Sequence, residues 1–120
     1  MRRQRPLSEA EALALERLSR VALPLPGVAE TLSFGHPTFT VRGNAFAVLD
    51  RYSGEECLWV RVDPGERASL LACQGWRESP YDPRRAALIC SLGAIDWRRI
   101  GRQVRTSYRL AALLTPRRAR

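Results

Sequence analysis

The sequence predicts an α+β domain, an antiparallel β-sheet with the N- and C-terminal helices packed on one face. Three observations carry this. Apolar residues recur at helical spacing at both ends of the chain, they alternate with polar residues through the middle, and short glycine-containing turns separate the alternating runs. The 120 residues contain no linker, repeat or low-complexity tract. They therefore read as a single domain, 1–120 with a basic tail from about 115, large enough to bury roughly two-thirds of the unfolded surface.

Ser8 and Glu11 stand at capping-box spacing, and Ala12, Leu15, Leu18 and Ala22 follow at helical intervals, so a helix is predicted from about Glu9 to Ala22. "LPLPG" ends it, because proline lacks the N–H a helix interior needs and drives its predecessor out of helical geometry. In "TFTVR", Phe39 and Val41 alternate with Thr38, Thr40 and Arg42, and Gly43-Asn44 reads as a two-residue hairpin turn into "AFAVLD". "RYSGEE" is a second turn. In the "CLWVRV" run that follows, Leu58, Val60 and Val62 share one face while Trp59 and Arg61 share the other.

Asp63 is expected to cap a short helix with Pro64 at its first position and Leu70, Leu71 and Cys73 on its apolar side. "GWRES" and "ALICSL" are further strands, linked by "PYDPRR". Asp96 caps a last helix from Trp97 to about Leu114. At 100° per residue Trp97, Ile100, Val104, Tyr108 and Ala111 form a core stripe, and Arg98, Arg102, Arg105 and Arg109 lie within about 60° of one another nearly opposite. Trp76 and Trp97 read as core.

All 20 basic residues are arginine. From Met1 to Asp96 there are 12 arginines and 12 acids; from Trp97 to Arg120 there are 8 arginines and no acid, so the whole net charge of +8 lies in the final segment. A localised excess of this kind is the electrostatic footprint of an anionic partner. Part of it also serves the helix, since late arginines complement the negative end of the dipole. No apolar run approaches the roughly 18 residues of a membrane span. Glutamates and arginines interrupt any secretory core after "MRRQRP", which predicts the cytoplasm.

Cys57, Cys73 and Cys90 form no C-x-x-C pair and have one histidine, His36, for company. They are expected to be buried small hydrophobes, with no metal site and no cofactor. His36 sits between Gly35 and Pro37, with Asp50 able to approach across the hairpin. The residues supply no nucleophile elbow, no paired carboxylates and no phosphate-cradling glycine loop, so no catalytic residue is assigned and the FGHP turn is weighted as structural.

Three blocks, "LPGVAETLSFGHPTFTVRGNAFAVLD", "VDPGERASLL" and "DWRRIGRQVRTSYRLAA", together resemble the small bacterial MmcQ/YjbR-like proteins, from about Leu23 to Leu113. The resemblance implies a CyaY-like fold and a predicted double-wing DNA-binding role, and it carries over no established enzymatic activity or cofactor. The chain differs at Asn44, where a lysine often follows the glycine, and in an abbreviated Pro80–Ser91 segment. The acidic ridge that frataxins use for iron has no counterpart, because Glu9, Glu11 and Glu16 alternate with Arg17 and Arg20 rather than converging as oxygen ligands must.

Two functions follow as expectations. The first is a non-enzymatic DNA-binding protein that contacts phosphates through Arg98, Arg102, Arg105 and Arg109. The second is a small-molecule or protein-interaction module with a pocket beside the FGHP turn, lined by His36, Tyr52 and Trp59. An exposed Trp59 beside Arg61 could also stack on a base.

Overall fold

The computed structural model describes residues 3–117. In chain order the elements are α1 (Glu9–Ala22), β1 (Val28–Ser33), β2 (His36–Val41), β3 (Asn44–Tyr52), β4 (Glu55–Arg61), α2 (Arg67–Leu71), β5 (Trp76–Glu78), β6 (Ala87–Ser91), a 3-10 turn (Leu92–Ala94) and α3 (Ile100–Ala112). The six strands form one sheet in the order β1-β2-β3-β4-β6-β5, with every neighbouring pair antiparallel.

The first three connections share one device, a residue followed by glycine with both at positive φ. They are Phe34–Gly35 (51° and 82°), Arg42–Gly43 (53° and 79°) and Ser53–Gly54 (53° and 79°). Two positive φ values give the turn the same handed twist as the strands it joins. The turn expected at Gly43-Asn44 is thus one residue earlier: glycine takes the second position, and Asn44 opens β3 as a buried residue. β1, a strand the sequence did not single out, pairs with β2 from Val28 opposite Val41 to Ser33 opposite His36. The meander therefore has four strands, and the FGHP stretch divides, with Phe34–Gly35 as the turn and His36–Pro37 opening β2.

Phe39, Val41, Ala47, Leu49, Leu58, Val60 and Leu88 of the sheet close on Ala14, Leu18 and Ala22 of α1 and on Ile100, Val104 and Ala111 of α3. Both long helices cover the same face. Each fully buried leucine contributes about 2 kcal/mol of transfer free energy. Trp76 and Trp97 pack against this core partly buried. Cys57 and Cys90 are buried, whereas Cys73 is exposed, because α2 is only five residues long and its apolar side ends at Leu71.

Both expected caps close turns just upstream of their helices. Asp63 accepts from the Gly65 N–H at 2.8 Å through its side chain and from the Glu66 N–H at 2.9 Å through its carbonyl, and α2 starts only at Arg67. Asp96 accepts from the Arg98 N–H at 3.0 Å and, through its carbonyl, from the Ile100 N–H at 2.9 Å.

The "S-Y" of the last helix anchors it to the sheet. Ser107 accepts from the Arg61 N–H at 2.8 Å and donates to the Phe46 carbonyl at 2.6 Å, satisfying two backbone groups in a buried position. Tyr108 meets the Phe46 ring edge-on at 5.5 Å and donates to the Pro26 carbonyl at 2.6 Å. At the other end of α3, Asn44 donates to the Ala111 and Thr115 carbonyls at 3.4 and 3.0 Å, and Arg42 to the Ala112 carbonyl at 3.1 Å. The β2–β3 hairpin thus caps the helix C-terminus, whose last carbonyls have no partner within the helix. This accounts for Asn44 in place of a lysine, since a buried amide of that length suits the carbonyls it meets.

Candidate functional site

Packing of Ile100, Val104 and Ala111 into the core turns the opposite side of α3 to solvent. Arg102, Arg105 and Arg109 are exposed on it, and Arg98 and Arg99 are exposed in the turn that leads into it. Arg102 lies 3.4 Å from Glu66 and is 73% exposed. Arg109 donates to the Thr106 hydroxyl at 3.3 Å, and Arg99 approaches Asp96 at 3.7 Å. Among the described residues Arg98, Arg105 and Arg109 have no carboxylate within ion-pair distance. From Arg102 to Arg109 the row extends about 10 Å along the axis, and Arg98 stands in the turn before it. Arg17 of α1 lies over the Trp97 ring at 5.3 Å, placing one more guanidinium beside the start of the row.

The opposite sheet face carries the second set of candidates. His36 Nδ1 accepts from Arg5 Nε–H at 2.6 Å, which leaves the ring proton on Nε2, 3.2 Å from Asp50 Oδ1. Both ring nitrogens are engaged, and neither offers a free lone pair to a substrate. Tyr52 lies beside Tyr81 with ring centroids 6.1 Å apart, and has its phenol pushed up to about 12 by burial and by the Asp50 charge. Trp59 stands on the same face opposite Val48, with the Arg61 guanidinium 5.3 Å from its ring. His36 and Tyr52 thus meet through Asp50, and Trp59 lies one strand further along. The approach of Asp50 to His36 is as the hairpin spacing suggested.

Arginines also build a feature that spacing did not reveal. Glu11, fully buried, accepts from Arg5 Nη1 and Nη2 at 3.0 and 2.6 Å, from Arg51 Nη2 at 2.5 Å and from the Ser8 N–H at 3.1 Å. Burial by itself would raise its pKa; the bonds from Arg5 and Arg51 outweigh this and hold it at about 2. The third residue of the capping box is therefore also the centre of a clamp that ties the N-terminal segment, α1 and β3 together. Of the helix-one acids, Glu11 is the one withdrawn from solvent.

Cys57 and Cys90 have thiols pushed up to about 12 and about 11, burial being the main cause in each, so they are held protonated. Among the described residues no three His, Cys, Asp or Glu side chains come together as a metal site, and no helix is long and apolar enough to cross a membrane.

Comparison with known proteins places this geometry. The crystal structure of Deinococcus radiodurans protein DR2400, which bears a DUF419 domain, is similar over 82% of this chain and 78% of its own, with a TM-score of 0.70 and 23% sequence identity. That likeness is one of fold. No curated protein matches the chain. A model of the YjbR family matches residues 23–110, a span that begins after α1 and runs from the FGHP turn through the S-Y anchor of α3, and the chain belongs to the YjbR family.

Proposed function

We propose that this protein binds DNA without catalysis, contacting backbone phosphates through Arg98, Arg102, Arg105 and Arg109. The observation that carries the reading is the outward row of arginines along α3 and the turn before it, three of them with no carboxylate partner among the described residues. Forked, permanently charged donors along an exposed face suit successive phosphates. Their placement on a helix whose opposite side is locked into the core keeps the row rigid, so little order has to be imposed on binding. The engagement of both His36 ring nitrogens, by Arg5 and by Asp50, supports a binding role over chemistry on the other face.

A salt titration against a random-sequence duplex tests this. Four phosphate contacts predict a slope of about −3.6 in log affinity against log salt. Replacing the four arginines by glutamine is expected to weaken binding about 100-fold at low salt and to flatten the slope. Undetectable binding at low salt, or binding unchanged in the variant, would sink the proposal.

A further inference from the structure

We propose that the groove between α2 and the start of α3 receives an unpaired nucleobase, so that the protein prefers single-stranded to duplex DNA. This rests on the phosphate-binding reading above and gives it a substrate class. The groove has a volume of about 590 Å³, within the range of small-ligand sites. Leu70, Trp76, Ile95 and Ile100 line it, an apolar and aromatic surface of the kind on which a base loses little by leaving water. Arg98, Arg102 and Arg105, three of the four arginines in the outward row, line it as well, against the single carboxylate of Asp96. A strand whose phosphates follow the row therefore has its bases within reach of an apolar slot, whereas paired bases in a duplex are held inside the stack.

Gln103 adds a polar group of the right kind. It lines the groove, and its Oε1 is buried with no hydrogen-bond partner among the described residues. A buried acceptor left unpaired is unfavourable, and rotation of the amide toward an incoming N–H relieves it. The Watson–Crick edge of an unpaired base presents such a donor. Charge alone suits any polyanion. The apolar lining together with the orphaned acceptor favours a planar, N–H-bearing ligand over an acidic peptide.

Cys73 provides the readout. It lines the same groove and is the one exposed cysteine of the three. With the full-length protein at matched salt, a mixed-sequence single strand is expected to bind about tenfold tighter than its duplex, the scale of one stacked base. It is also expected to slow alkylation of Cys73 by N-ethylmaleimide, while the duplex does so weakly. Gln103→Leu and Cys73→Trp, the latter filling the groove from an exposed position, are expected to abolish the single-strand preference and leave duplex affinity unchanged. Equal affinity for the two forms, with duplex binding still lost in the four-arginine variant, would overturn the groove proposal and leave the phosphate reading standing. Binding of neither form at low salt would overturn both. Protection of Cys73 by poly-glutamate as strong as that by the single strand would overturn the nucleobase assignment in favour of an acidic peptide.

Discussion

Arg5 and Arg51, gathered at the start of α1, and Arg98, Arg102, Arg105 and Arg109, set along α3 and the turn before it, are the same side chain put to opposite uses. The first pair converges on Glu11, which has no exposed surface, and Arg5 also donates to the Leu49 carbonyl at 3.2 Å. The second set points outward, and among the described residues its one carboxylate contact is the long Arg102–Glu66 approach of 3.4 Å. Arg42 stands between the two, exposed yet committed to a helix-end carbonyl. A count of arginines does not distinguish these roles. What separates them is whether a low-dielectric surrounding makes the charge expensive to leave unpaired.

The comparison breaks most severely at Glu11. Glu11→Gln keeps the capping geometry but leaves two guanidinium groups without their counter-charge, and we expect a loss of about 3 kcal/mol in urea unfolding. A loss below about 1 kcal/mol would mean that Arg5 and Arg51 turn to solvent at little cost.

The same clamp predicts a pH window. The folded-state pKa of Glu11 is depressed to about 2 from an ordinary 4.5. Its stabilisation is therefore complete above about pH 4.5 and is lost as the pH falls toward 2, amounting to about 3 kcal/mol over that interval. Stability curves of the parent and of Glu11→Gln should converge on acidification. Curves that stay parallel between pH 5 and 2 would assign the acid sensitivity to other carboxylates.

Smaller effects are expected as the arginines become freer. Arg42→Ala removes one donor and one cation from the C-terminal end of α3 and should cost about 1 kcal/mol, read as faster hydrogen exchange in its last turn. The four-arginine variant of α3 should change stability by about 0.5 kcal/mol per site or less, within the scatter of surface substitutions, even as DNA affinity falls. A large destabilisation there would make the row a structural element and remove the contrast.

Much of the fold was legible from local pattern. α1 has the bounds its capping box and periodicity predicted, and α3 buries Ile100, Val104 and Ala111 of the stripe that its 3.6-residue spacing picked out, because both signals are local in sequence; α3 starts at Ile100 rather than Trp97, since Asp96 closes a turn ahead of it, and it ends at Ala112. β1 was missed because "VAETLS" carries few apolar residues: it is an edge strand, held by backbone pairing with β2 more than by its side chains. The Arg42–Gly43 turn was placed one residue late because either register satisfies the local preference for glycine, and only the pairing of Val41 with Asn44 selects one. The two pieces that identify the family became the β1–β2 hairpin and the Ser107–Tyr108 anchor, whose partners Arg61, Phe46 and Pro26 lie 46 to 82 residues away.

The sequence by itself determined the α+β class, the two long helices and the confinement of excess positive charge to the final segment, since these depend on composition and on spacings of a few residues. Only the tertiary structure decided that Glu11 is a buried clamp, that His36 is held between Arg5 and Asp50, and that Gln103 and Cys73 share a groove with three of the outward arginines. Each of those facts depends on groups brought together across the chain, and a charge or an amide acquires its energetic meaning from the burial and the partners it finds there.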